Sequence, residues 1–131
     1  PERGLIMITT FVVGKALTKT GWTFWDRTRP DGVADGLFVP PVPTFPSGHA
    51  LQAVVIWGLL AGWWVVASRS TLERALVVFG ATLVIVASGL TRVRLAQHHA
   101  TDVLAAWVFG AVWVAVALWA ERGFHTVGAR T

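Results

Sequence analysis

Hydrophobic and polar positions divide the chain into four apolar stretches with polar breaks between them. Leu5 to Leu17 is apolar apart from Thr9, Thr10 and Lys15, with Lys19 one turn further, and reads as a helix; it is short for a membrane span unless its lysines reach the interface. Residues 20–47 change character. Gly21, Gly32, Gly36 and prolines at 30, 40, 41, 43 and 46 exclude helix over most of them. Phe38, Val39, Val42 and Phe45 favour an ordered loop lying along the interface. Gly48 to Ala67 carries no charge and suits a spanning helix of about 20 residues, with Ser47 as its N-cap. Within it the Gly58 and Gly62 pair permits close helix approach, read here as internal packing. Ser68 to Arg74 is a short turn, Ala75 to Thr91 a third run, Val103 to Ala120 a fourth, and residues 121–131 a polar tail. The pattern predicts an all-α integral membrane helix bundle with four hydrophobic helices and no internal repeat.

Composition supports that class. Of 131 residues 54% are hydrophobic, eight are tryptophan and only 14% are charged, which is membrane composition within single-domain length. Cysteine is absent, which excludes disulfides and thiolate metal sites. The net charge of +4 comes from basic residues set singly between apolar runs, so nucleic acid is not an expected partner. Pro1 is not an initiator and no cleavable signal follows, so the chain is expected to be a fragment or trimmed piece of one membrane domain, residues 1–131. Tracing four crossings puts the Pro-rich loop and residues 92–102 on one face. Arg3, Arg69, Arg74, Arg122 and Arg130 lie on the other, and short basic loops favour the cytoplasm. The first face is therefore expected to be extracytoplasmic.

Residues 91–102 hold the densest chemistry, with two arginines, two histidines and an aspartate between apolar runs. Any one histidine beside a membrane segment can be a plain interface residue. The spacing argues for more: with a helix starting by His98, Asp102 shares its face, and a carboxylate there accepts one ring N–H and leaves the other nitrogen free. Asp102 also suits the first turn of a helix as a dipole-favoured acid, with Thr101 as cap. His-His-x2-Asp is compatible with a metal, but Arg92 and Arg94 on the same loop and Arg27 and Arg29 upstream repel a cation and match a phosphate instead. Arg94 and His99 read as interface residues. Ser47 and Gly48 open a helix whose free N–H groups form an anion site, or only a cap, and His49 beside them favours the anion site.

Taken in order, Arg29-Pro30, Pro46-Ser47-Gly48-His49 and the Arg92-x5-His98-x3-Asp102 block resemble the type 2 phosphatidic acid phosphatase superfamily, which includes membrane lipid phosphatases, soluble acid phosphatases and vanadium haloperoxidases. The resemblance covers residues 15–102. It implies His98 as nucleophile forming a phosphohistidine, Asp102 as its orienting partner, and His49 as general acid. Arg29, Arg92, Ser47 and Gly48 would form the phosphate cradle. It implies no metal and no cofactor. Partners would be a phosphorylated lipid substrate and membrane lipids, and nothing sets an oligomeric state.

Two positions depart from the family pattern. Lys-x6-Arg-Pro places Trp22 where lysine is expected; a three-residue insertion around Gly21 to Thr23 would restore Lys19 to the cradle, with Lys15 a weaker substitute. Thr91 stands where serine is usual and keeps the hydroxyl. The family commonly has six helices with these blocks on the last four, so two upstream helices are expected beyond this chain. The resulting expectation is a metal-independent lipid phosphate phosphatase acting on a polyprenyl diphosphate, phosphatidic acid or phosphatidylglycerol phosphate. The rivals are a catalytically weak lipid-phosphate binder or carrier, a lipid phosphotransferase, and a haloperoxidase-like oxidant using vanadate.

Overall fold

A computed structural model of the chain describes residues 2–30 and 43–128, the side chains of residues 2 and 123–128 excepted. Among the described residues four helices form: α1 (Glu2–Trp25), α2 (Gly48–Ala67), α3 (Thr71–Arg94) and α4 (Ala100–Gly128). Among the described residues α2, α3 and α4 are long and apolar enough to cross a membrane. α1, at roughly 36 Å by its helical rise, has the length, but its lysines make it less apolar.

The helix ends differ from the sequence expectation, and each difference has a local cause. α1 continues to Trp25 because Gly21 has no Cβ to meet Pro46, whose Cδ would lie 2.5 Å away, so the chain stays helical through a point of close packing. α3 begins at Thr71 because Ser70 caps it, its hydroxyl accepting from Glu73 N at 3.3 Å. Arg92 and Arg94 therefore sit in the last turn of α3, not on a loop. α4 runs on to Gly128, so residues 121–128 are helix rather than tail. The loop expected at Phe38, Val39 and Val42 lies outside the described residues; Phe45, beyond it, packs edge-on against Trp25 with ring centroids 5.0 Å apart.

α2 is the central helix and packs against the other three. One buried cluster joins Ala50 and Leu51 of α2 to Val103 and Ala106 of α4. A second joins Val55, Leu59 and Trp63 to Ile6 and Met7 of α1 and to Trp113, Val114 and Leu118 of α4. Gly58 and Gly62 face α4: a Cβ on Gly62 would lie 2.5 Å from Leu118 and one on Gly58 3.1 Å from Val114. The pair thus serves internal packing, as small residues do where lipid supplies no hydrophobic drive and contact must come from close approach. α3 buries little, and Leu76, Phe79, Leu83 and Leu90 are exposed, as a lipid-facing helix requires. All four helices form one bundle, and the integral membrane class follows from its three spans.

Candidate active site

The end of the bundle that joins α1 to α2 and α3 to α4 holds a cavity of about 560 Å³. It is lined by Lys15, Thr18, Lys19 and Trp22 of α1, Arg29 of the following loop, Gly48, His49 and Gln52 of α2, Arg92 of α3, and Gln97 and His98 of the α3–α4 turn. Six of the eight residues expected from the sequence therefore meet at one opening: Lys19, Arg29, Gly48, His49, Arg92 and His98. Ser47 and Asp102 are fully buried beside it and do not line it.

Helix geometry explains the α1 contribution. Residues 15, 18, 19 and 22 fall on one face of a 3.6-residue helix. Lys19 reaches the cavity from the turn before Trp22, on the same unbroken helix. Gly48 lets α1 close on the site, since a Cβ there would stand 3.2 Å from Thr18 Cγ2. The Ser47 hydroxyl accepts from Ala50 N at 3.5 Å as an N-cap, and its own N–H donates to the Asp102 carbonyl at 3.2 Å. Ser47 thus fixes the start of α2 against the start of α4.

The α3–α4 turn is built by backbone hydrogen bonds. Ala96 has φ 49, the left-handed region, with Ala96 N donating to Val93 O and Gln97 N to Arg92 O, both at 3.0 Å. That pair of bonds is the Schellman ending of a helix, here with alanine where glycine usually stands. It reverses the chain so that Gln97 and His98 return over the last turn of α3.

His98 precedes α4, which starts at Ala100, so the face-sharing expected of His98 and Asp102 is modified. The His98 Nδ1 lies 2.9 Å from the Thr44 carbonyl and 3.7 Å from Asp102 Oδ2. Because a carbonyl only accepts, Nδ1 carries the proton, and in the neutral ring Nε2 keeps its lone pair. Thr44 makes the close contact, and Asp102 acts at longer range. Burial, reinforced by the Arg29 charge, lowers the His98 pKa to about 4 against the opposing Thr44 bond and Asp102, so the ring is neutral near pH 7.

Asp102 is occupied elsewhere. Its Oδ1 accepts from Arg27 Nη1 at 2.8 Å, and its Oδ2 from His99 N at 2.9 Å, closing the first turn of α4. Arg27 also donates to Thr101 Oγ1 at 2.7 Å. His99 and Arg27 thus pin the start of α4 to the loop after α1, with His99 Nε2 reaching the Thr28 carbonyl at 3.1 Å.

Arg29 and Arg92 are held differently. Arg29 Nη1 donates to the Gln97 carbonyl and Arg92 Nη1 to the Gln97 Oε1, both at 2.7 Å. The Nε of each is buried, and among the described residues neither has a partner. Burial also depresses the Arg29 pKa, with Asp102 opposing, yet a guanidinium remains charged. Two cations oriented at one cavity match the oxygens of a phosphate. Among the described residues no group of His, Asp and Glu is arranged to hold a metal ion.

Thr44 and Gln97 were not legible as site residues. Thr44 acts through its carbonyl, which has no side-chain signature. Gln97 carried one available signal, a polar residue directly before His98 inside the dense cluster.

A family model described as the PAP2 superfamily matches residues 3–124. Phosphatidylglycerophosphatase B of Bacillus subtilis (strain 168) is 31% identical over 113 residues, covering 82% of this chain and 52% of that protein. The crystal structure of a transmembrane PAP2 type phosphatidylglycerolphosphate phosphatase from Bacillus subtilis superposes with a TM-score of 0.78 at 28% identity, covering 94% of this chain and 59% of that one. The chain spans about half the length of these relatives. With the family match running through all four helices and the site between them, the chain belongs to the PAP2 superfamily.

Proposed function

We propose that this chain is, or forms the catalytic part of, a membrane phosphatase that removes a terminal phosphate from a lipid through a phosphohistidine on His98. The observation that carries the reading is the charge inventory of the cavity: among the described residues, Lys15, Lys19, Arg29 and Arg92 line it together with two histidines and no carboxylate. Such a cavity favours an anion, and two guanidiniums at one opening favour one with several oxygens.

The steps follow from the atoms in place. Arg29, Arg92 and the N-terminus of α2 at Gly48 hold the phosphoryl oxygens, which spreads and stabilises their charge in the transition state. The His98 Nε2 lone pair attacks phosphorus, the bond from phosphorus to the lipid oxygen breaks, and protonated His49 gives that oxygen its proton. Water then attacks the phosphoryl group, His49 takes its proton, and the P–N bond breaks to release phosphate. Thr44 holds the ring on the correct tautomer throughout both steps.

The names of the two Bacillus relatives support phosphatidylglycerol phosphate as substrate, and phosphatidic acid and polyprenyl diphosphates present a comparable terminal group. The reading puts the site on the extracytoplasmic side, supported by Arg3, Arg69, Arg74 and Arg122 at the opposite end, since short basic loops favour the cytoplasm. The reading is tested by phosphate release from these three lipids in detergent micelles, with EDTA and with orthovanadate. Release is expected to persist in EDTA and to be inhibited competitively by vanadate, which takes the geometry of the transition state. No release from any of the three, or activity lost in EDTA and restored by magnesium, contradicts it.

A further inference from the structure

Gln97 occupies an unusual position between the two cradle arginines. The Schellman turn at Ala96 brings it back over Arg92, five residues earlier, and against Arg29, which arrives from a loop 68 residues away. It offers each arginine a different group: Arg92 takes the side-chain Oε1 and Arg29 the main-chain carbonyl, both at 2.7 Å. Gln97 also lines the cavity.

We propose that Gln97 is a positioning residue of the phosphate site, a neutral clamp that holds Arg29 and Arg92 together at the cavity. The inference rests on the phosphatase reading of the cavity.

Two like charges facing one cavity repel, and each guanidinium would turn toward solvent or a carboxylate unless something neutral held it. A carboxylate at this point would orient Arg92 as well, but it would cancel the charge the substrate needs. An amide oxygen orients without neutralising. Fixing one Nη of a rigid planar fork also fixes the plane of the guanidinium and so the direction of its remaining donors. The two arms differ in how they respond to substitution. The main-chain arm to Arg29 survives any side chain at position 97, whereas the side-chain arm to Arg92 depends on the amide. Changing residue 97 therefore loosens Arg92 alone.

The test is a double-mutant cycle on the purified protein in detergent, read by kcat/KM for lipid-phosphate hydrolysis and by the inhibition constant of orthovanadate. Gln97→Leu removes the acceptor at similar size. It is expected to lower kcat/KM by about 10- to 100-fold, the usual worth of one hydrogen bond to a charged group, and to weaken vanadate by a similar factor. In an Arg92→Lys background, which lacks the planar fork, the same change is expected to matter by less than about threefold, because contacting residues are not additive. Gln97→Glu keeps the acceptor and adds a negative charge, so KM is expected to rise at least about tenfold with kcat changed far less. A general loss of structure would lower both and would ignore the Arg92 background. Gln97→Leu with more than a third of wild-type kcat/KM, a loss undiminished in the Arg92→Lys background, or an unchanged KM in Gln97→Glu overturns the clamp while leaving the phosphatase reading intact. A wild-type protein that neither hydrolyses lipid phosphates nor binds vanadate overturns both.

Discussion

The two ends of the bundle both bury polar groups, and they satisfy them in opposite ways. At the end away from the cavity, Glu121 of α4 accepts from Arg3 Nε at 3.1 Å and from Trp63 Nε1 at 2.7 Å, and the Arg3 guanidinium lies 5.6 Å from the Trp63 ring centroid. Nearby, Ser68 donates to Glu73 Oε2 at 2.6 Å, and Arg74 closes on the Ser68 carbonyl. Each acid there has a donor, and the contacts fasten α1, α2 and α4 together. At the cavity end the acid Asp102 is committed to Arg27 and His99, while among the described residues four cationic side chains and no carboxylate line the opening. Like charges gathered at one opening repel one another, so a protein that keeps them there presents them to something that brings the opposite charge. The contrast separates the structural polar cluster from the one built for a ligand.

After the nucleophile itself, the largest effect is expected at Arg29. Arg29→Met removes one preorganised donor from the cavity end and should lower kcat/KM by about 10²- to 10³-fold, measured by phosphate release from lipid phosphate. Lys19 comes next. Lining the cavity beside the phosphate-binding arginines, it should cost about tenfold or more when changed to methionine, whereas Lys15→Met, two turns from Trp22, should cost less. Equal losses at both positions would make α1 a diffuse source of positive field rather than a ligand-contacting helix.

Acid titration sharpens the same comparison. The His98 pKa is held near 4, well below the ordinary histidine value, by burial and then by Arg29. In the folded protein the ring therefore stays neutral where an unfolded chain would take up a proton. Stability should be full above about pH 6.5, fall as pH drops toward about 4, and level off below that. Arg29→Met should move the His98 transition upward in histidine-selective NMR. A change at the far end, Glu121→Gln, should leave it in place. That same Glu121→Gln variant is the smallest expected effect on turnover, below about twofold, with a stability loss of about 1–2 kcal/mol read from thermal unfolding in detergent. A large activity loss there would break the division between the ends.

Much of the bundle was legible because span length and apolar continuity follow from the bilayer itself, and the four segments appear where the hydrophobic runs lie. Helix ends were less legible. The Ser70 cap extended α3 backward, and the Ala96 turn ended it without the glycine that usually marks such a point. In the site, His49, His98, Arg29 and Arg92 announced themselves by residue type and spacing. The contacts that aim them did not. Thr44 and the Gln97 main chain act through carbonyl oxygens, which every residue has, so nothing in a side-chain pattern reveals them. Lys19 was hard to place for the opposite reason: matched residue by residue it was three positions out of register, whereas on a helix it is one turn from Trp22 and faces the same way.

The central claim is that His98 attacks phosphorus, and the most direct measurement is the kcat/KM of His98→Ala on a lipid phosphate, with folding verified by unchanged helical content and thermal transition. Loss of the attacking atom should lower it by at least about a thousandfold. A folded His98→Ala protein with more than about a tenth of wild-type turnover would contradict the account.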